Sequence, residues 1–216
     1  MKTYKPRIAD KELQRKLAGI GAVLIEGPKW CGKTTTAEQQ ASTIIYMDDP
    51  SEQNLRMADI NPKVLLVGKP PILIDEWQLA PKLWDTIRFK VDHGESEGLF
   101  ILTGSAVPAK TEEIHHSGAG RFAWLTMRPM SLYESGESSG EVSLGDMFET
   151  PDNITGINQL TLDDIAFLIC RGGWPRASLQ TGDIALDQVK YYYDAVTRTD
   201  ISRVDGIRRN QERAKR

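Results

Sequence analysis

Cysteine and histidine are scarce in this sequence of 216 residues, which contains two cysteines and three histidines. Cys31 and Cys170 are far apart, and neither belongs to a Cys-x-x-Cys pair, which argues against a disulfide framework and a structural zinc site. His93, His115 and His116 lack the cysteine or carboxylate spacing of metal ligands, so we interpret them as exposed loop residues. We therefore expect a reducing compartment.

Long apolar runs and an excess of charge of one sign are also missing. The formal net charge is −3, and no apolar run approaches the ~18 residues that a membrane-spanning helix requires. Together with the absence of a leader pattern, this predicts a cytoplasmic protein without membrane contact. Basic residues cluster only in 203–216, which we interpret as a solvated terminus, and a nucleic-acid partner stays open.

Short apolar runs bounded by turn residues alternate with longer amphipathic stretches, which is typical of a parallel sheet covered by helices. The predicted fold class is α/β, a three-layer sandwich around a five-stranded parallel sheet that is complete by about residue 130. We predict helices over 33–40, 51–60 and 79–91. The predicted strands are 22–25, 43–47, 72–74, 99–102 and 122–127.

The remaining chain is predicted to contain a polar connection and a helical segment. Residues 131–160 include Ser-Gly-Glu-Ser-Ser-Gly at 135–140, a composition too hydrophilic to form much core. In the segment 161–205, Thr161 and Asp164 resemble a capping box at the start of a helix that Gly172 ends. A last long helix is expected over 184–204.

Residues 27–34 read GPKWCGKT and match G-x-x-x-x-G-K-[ST], the P-loop of NTPases, between a strand and a helix. Its glycines let the backbone N–H groups face a phosphate chain, and the helix start adds partial positive charge. Lys33 is expected to reach the β- and γ-phosphates of ATP, and Thr34 to offer a hydroxyl to Mg²⁺. The predicted nucleotide-binding residues are Gly27, Pro28, Lys29, Trp30, Cys31, Gly32, Lys33, Thr34 and Thr35.

Two plainer interpretations of this loop compete with the functional one. The match could be a chance coincidence in a glycine-containing turn, and Trp30 and Cys31 occupy variable positions whose side chains point away from phosphate. A redox switch at Cys31 is the weaker alternative to that simple role, because a nearby helix start only permits thiolate formation.

An acidic pair, Asp75 and Glu76, ends the apolar run 72–74 in the form of a Walker B strand. Asp75 is expected to hold Mg²⁺ directly or through water, and Glu76 to orient and deprotonate the attacking water. The alternative is a solvated strand end.

Two further catalytic candidates follow later strands. Ser105, or Thr103 beside it, could hydrogen-bond the attacking water or the γ-phosphate, with helix capping by Ser105 as the alternative. Arg121 could stabilise charge on the transferred phosphoryl group, in cis or from a neighbouring subunit, and a surface salt bridge is its alternative role.

With these motifs, the sequence resembles prokaryotic P-loop ATPases of the AAA/STAND-like division, the DUF4143-containing ATP-binding proteins. Met130 departs from the leucine usual in the Arg-Pro-Leu-Ser stretch of that family. The segments that carry the resemblance are 6–7, 27–34, 74–78, 102–105, 120–121, 128–131 with Glu134, 172–175 and 198–201.

The resemblance implies a P-loop ATPase core over 1–130, the connection 131–160, the helical segment 161–205 and, from 206, the start of a winged-helix-like unit. In such proteins a nuclease-like domain follows, and none of its activity is assigned to these residues. Adenine is favoured over guanine by resemblance, and no Asn-Lys-x-Asp motif is present.

The expected function is Mg²⁺-dependent ATP binding and slow hydrolysis that switches an attached or partner domain, with possible self-association. The alternative is a regulatory module that holds nucleotide with little turnover. A small-molecule kinase is less favoured, because no arginine-rich lid is evident between residues 107 and 120.

Overall fold

The computed structural model describes residues 4–94, 96–104 and 118–200, without the side chains of residues 153, 199 and 200. The chain divides into two units, Met1–Arg128 and Pro129–Arg216. No helix within the described ranges has the length and apolar character needed to span a membrane.

A five-stranded parallel sheet forms the centre of the first unit, in the order β2-β3-β4-β1-β5. The three middle strands are buried apolar runs, as expected where helices cover both faces of a parallel sheet. This confirms the predicted α/β class. The strands are β1 (Ala22–Glu26), β2 (Thr43–Tyr46), β3 (Ile72–Asp75), β4 (Phe100–Thr103) and β5 (Phe122–Thr126).

Five α-helices accompany the sheet in the described part of the first unit. At the start of helix α1 the backbone N–H of Arg7 donates a hydrogen bond of 2.8 Å to Asp10 Oδ2, and the helix buries Leu13 and Leu17. Leu83, Trp84 and Ile87 of α5 belong to the same buried apolar cluster as β3 and β4. The helices are α1 (Ile8–Leu17), α2 (Lys33–Glu38), α3 (Gln53–Ile60), α4 (Pro62–Leu65) and α5 (Leu83–Asp92).

The predicted helix over 79–91 starts differently in the structure. A 3₁₀ turn, Trp77–Leu79, precedes it, and α5 begins only at Leu83. Pro81 explains the break, because the residue before a proline is disfavoured in the helical region.

The second unit is helical, including the part predicted to be a polar connection. Helix α6 starts at a capping box between Ser131 and Glu134, and the Ser143 hydroxyl caps α7. The capping box at Thr161 is present, as expected. The helices are α6 (Leu132–Ser135), α7 (Leu144–Glu149), α8 (Leu162–Arg171), α9 (Pro175–Ser178) and α10 (Gly182–Ala195), which continues as a π-helical turn, Val196–Asp200.

Candidate functional site

The motif residues meet at the carboxyl edge of the sheet. Strand β4 lies between β1 and β3, and Thr103 pairs in register with Ile25 on one side and Asp75 on the other. The loop that follows β1 and the acidic pair that follows β3 therefore lie at the same edge. This is where open parallel sheets bind ligands.

The loop 27–32 depends on glycine at two positions. Gly27 has a φ of +147°, and a Cβ built there would lie 2.1 Å from the backbone oxygen of Met127, just after β5. Gly32 has a φ of +102° and leads directly into α2. These positive φ angles turn the backbone as a phosphate-binding loop requires. Pro28, Lys29 and Trp30 form the exposed part of the loop.

Lys33 lies under this loop, with only 7% of its surface exposed. Its Nζ donates hydrogen bonds of 2.9 Å to the backbone oxygens of Gly27 and Pro28. Burial lowers the pKa of Lys33, and the nearby carboxylates of Glu76 and Asp75 oppose that shift. An ammonium group has three donors, so the two loop contacts leave one for a ligand.

Asp75 accepts hydrogen bonds from two hydroxyl groups that lie on different elements. Thr34 Oγ1 on α2 donates a hydrogen bond of 2.8 Å to Asp75 Oδ1, and Thr103 Oγ1 at the end of β4 donates to the same oxygen. The carboxylate is 6% exposed. Thr103, one of the two hydroxyls considered for the attacking water, therefore supports Asp75.

The oxygens of Thr34 and Asp75 fit a magnesium ion. Mg²⁺ prefers hard oxygen ligands, keeps several waters, and is usually held by one or two carboxylates together with substrate phosphates. Within the described ranges, no group of three or more His, Cys, Asp or Glu residues could hold a metal on its own. A cation here would therefore share its coordination with water and phosphate.

Glu76 follows Asp75 in a left-handed conformation, with a φ of +54°. It is half-buried, and its Oε2 accepts a hydrogen bond from Gln78 Nε2. Gln78 belongs to a segment that carried the family resemblance, but no role for it was predicted from the sequence. Its contact with Glu76 depends on the left-handed turn between them, which no residue pattern indicates.

Arg7 is a second residue that sequence reasoning left without a role. Its buried guanidinium donates hydrogen bonds of 2.8 Å to the backbone oxygens of Cys31 and Arg128. It therefore joins the phosphate loop to the residue that ends the first unit. An arginine close before a helix gives no signal of such a contact in the sequence.

Cys31 is fully buried in the loop, and its thiol donates to the backbone oxygen of Met127 at 3.7 Å. Burial raises the pKa of Cys31, with Lys33 and Arg7 opposing the shift. Reactive cysteines are partly exposed and have a lowered pKa. The environment of Cys31 therefore favours the simple packing role.

The structure does not bring Arg121 to this site. Its backbone oxygen accepts a hydrogen bond from Ala22 at the start of β1, whereas the loop follows Glu26. Four residues of strand separate these ends by about 13 Å. The Arg121 Nε also donates to Asp92 Oδ1 at 2.6 Å and lowers the pKa of that carboxyl. A role in cis does not agree with this position, and a role in trans stays a prediction.

Ser105 lies outside the described residues, and Thr35 is exposed on α2.

The chain is similar in sequence to known proteins. A family model described as an AAA domain matches residues 20–136, more than half of the chain. Uncharacterized proteins of Mycobacterium bovis and Mycobacterium tuberculosis are each 29% identical over 139 residues, which is 62% of this chain and 31% of theirs. The chain thus spans about a third of the length of these curated relatives.

The fold is also similar to that of a solved structure. A Walker-type ATPase of Pyrococcus abyssi superposes with a TM-score of 0.55 at 12% identity, over 93% of this chain and 75% of that one. At this identity, the likeness concerns the fold alone.

Proposed function

The chain belongs to the AAA domain family, and on that basis we propose that it binds ATP with Mg²⁺ and hydrolyses it slowly. The single observation that carries this proposal is the convergence of Lys33, Thr34 and Asp75 at one edge of the sheet. A cation for phosphate and oxygens for magnesium are the groups that phosphoryl transfer requires.

Each of these residues has a distinct task in the proposed reaction. Lys33 binds the β- and γ-phosphates, and Thr34 and Asp75 hold the magnesium ion. Magnesium, when bound, would neutralise charge that develops on the phosphate oxygens. Glu76 orients the attacking water and accepts its proton on a carboxylate oxygen. Thr103 fixes the orientation of Asp75 through its hydrogen bond.

We also propose that hydrolysis switches the position of an attached or partner domain. In support, the curated relatives have most of their length outside the matched region. The finer placement among DUF4143-containing proteins is part of this proposal and is supported by the sequence at 172–175 and 198–201.

Phosphate release from ATP by the purified chain tests the proposal. We expect slow release that needs Mg²⁺ and stops with a chelator. Lys33→Ala should weaken ATP binding about tenfold or more, because it removes a buried cation at the phosphates. Lys11→Ala, on the exposed side of α1, is the matched control and should bind as the parent does. Unchanged ATP affinity in Lys33→Ala would contradict the assignment of the loop.

A further inference from the structure

We propose that Gln78 is the positioning residue that orients Glu76 for hydrolysis, and that Gly104 is glycine to make room for it. This inference rests on the proposed ATPase function and adds to it a residue that acts through the base. Three features of the described residues support it.

The first feature is the hydrogen bond between the two side chains. Gln78 Nε2 donates to Glu76 Oε2, and Glu76 is the one hydrogen-bond partner of the Gln78 side chain among the described residues. A carboxylate that must receive a proton from water needs a fixed direction, and a neutral amide donor supplies it without adding charge.

The second feature is the rigid turn that holds both residues. Backbone hydrogen bonds of 3.0 Å run from Leu79 N to Glu76 O and from Ala80 N to Trp77 O. Between the two polar side chains, Trp77 is 4% exposed and packs on Trp84, with ring centroids 5.2 Å apart. The buried ring anchors the turn, so the Gln78 amide has a defined position relative to Glu76.

The third feature is the absence of a side chain at Gly104, directly after β4. A Cβ built there would lie 2.4 Å from Gln78 Oε1 and 3.2 Å from Trp77 Cδ1. The φ of Gly104 is outside the left-handed region, so its backbone does not demand glycine. The space that Gly104 leaves is therefore the space that the Gln78 amide occupies.

Gln78 Oε1 is buried and accepts no hydrogen bond from the described residues. Within the part of the chain that the structure describes, the position of the amide therefore depends on Glu76 and on the space at Gly104. Loss of either should release Glu76 without disturbing Lys33, Thr34 or Asp75. The expected signature is a lower kcat at nearly constant ATP affinity, the pattern of a contact needed mainly in the transition state.

The test compares Gln78→Met with Gly104→Ala. Gln78→Met keeps the length of the side chain and removes its donor, and we expect kcat to fall about 10- to 100-fold, with ATP affinity within about threefold of the parent. Gly104→Ala should produce the same pattern by displacing the amide. The double variant should be no slower than the slower single variant, because both changes act through one contact. Gln53→Met, at the exposed start of α3, is the matched control.

A measurement on the nucleotide-free protein tests the contact independently of turnover. The side-chain amide of Gln78 is the ¹H–¹⁵N pair that disappears from the NMR spectrum of Gln78→Met. We expect this pair to shift in Glu76→Ala and in Gly104→Ala, and to stay in place in Gln53→Met.

Two results would overturn the inference, and they are distinguishable. An active parent with a Gln78→Met variant of equal kcat would overturn the role of Gln78 and leave the proposed function intact. A parent that releases no phosphate from Mg-ATP would overturn both. Binding of Mg-ATP with parent affinity shows that each variant is folded.

Discussion

At the scale of single residues, the buried charge of Lys33 has a consequence for pH dependence. Because burial lowers the pKa of Lys33, its neutral form appears below the ordinary value of 10.5. Phosphates favour the charged form, so ATP binding should take up a proton and weaken as the pH rises toward 10.5. Calorimetry in two buffers of different ionisation enthalpy measures this uptake.

The sign is opposite for the stability of the nucleotide-free protein. The folded state carries the cost of a buried charge below the lowered pKa and is relieved of it as Lys33 deprotonates. The contribution of Lys33 to the free energy of unfolding therefore rises with pH in the window below 10.5. For the binding prediction, the contradicting result is an ATP affinity that stays constant over the same pH window, because Lys33 would then not contact the phosphates.

The motif residues of the site could be predicted from the sequence, whereas the contacts that support them could not. Lys33, Thr34 and Asp75 have the spacing of known motifs, and the order of the strands brings them together. Gln78 and Arg7 act through contacts that arise only in three dimensions. The contact of Gln78 needs a left-handed backbone at Glu76. The contacts of Arg7 need Cys31 and Arg128, which are far apart in the sequence, to lie next to each other.

At the scale of elements, the phosphate loop is shaped by its contact with the end of β5. Gly27→Ala should lower the free energy of unfolding by about 1–3 kcal/mol and abolish ATP binding, because its Cβ would overlap the Met127 carbonyl at an unfavourable φ. Thermal or chemical unfolding and calorimetry measure the two effects.

Gly19→Ala is the matched control for this prediction. A Cβ at Gly19 meets nothing within 4 Å, and the φ of Gly19 is outside the left-handed region. The control should be neutral or slightly stabilising, since alanine restricts the unfolded chain. If Gly27→Ala binds ATP as this control does, the loop does not depend on its approach to β5.

Strands were easier to predict than the helices of the second unit. The three middle strands are buried on both faces and are therefore continuous apolar runs, and all five predicted runs form strands. Helix α7 was not predicted, because the connection that contains it was interpreted from its polar composition. Leu144, Met147 and Phe148 do have the helical spacing i, i+3, i+4, but all three are exposed, so this face is not part of the core. The short helices there are instead marked by their caps, Ser131 and Ser143.

At the scale of the whole molecule, the position of Arg121 separates two modes of action. It lies at the amino edge of the sheet, so it could reach a phosphate only in another copy of the chain. We expect specific activity to rise with protein concentration, and Arg121→Ala to lower turnover while ATP affinity stays nearly unchanged.

A dilution series over about a hundredfold in concentration, with phosphate release as the readout, checks this prediction. A flat specific activity, together with an Arg121→Ala variant as active as the parent, would show that Arg121 is structural, through its contacts with Asp92 and the backbone oxygen of Ala119.

The most direct test of ATP hydrolysis at this site is a comparison of the parent with Glu76→Gln in Mg-ATP, with phosphate release and bound nucleotide measured on the same samples. The amide keeps the shape of Glu76 but cannot accept a proton from water. We expect Glu76→Gln to bind ATP as the parent does, to release phosphate at least about a hundredfold more slowly, and to retain unhydrolysed ATP. Phosphate release at the parent rate by Glu76→Gln would contradict the role of Glu76 as the base.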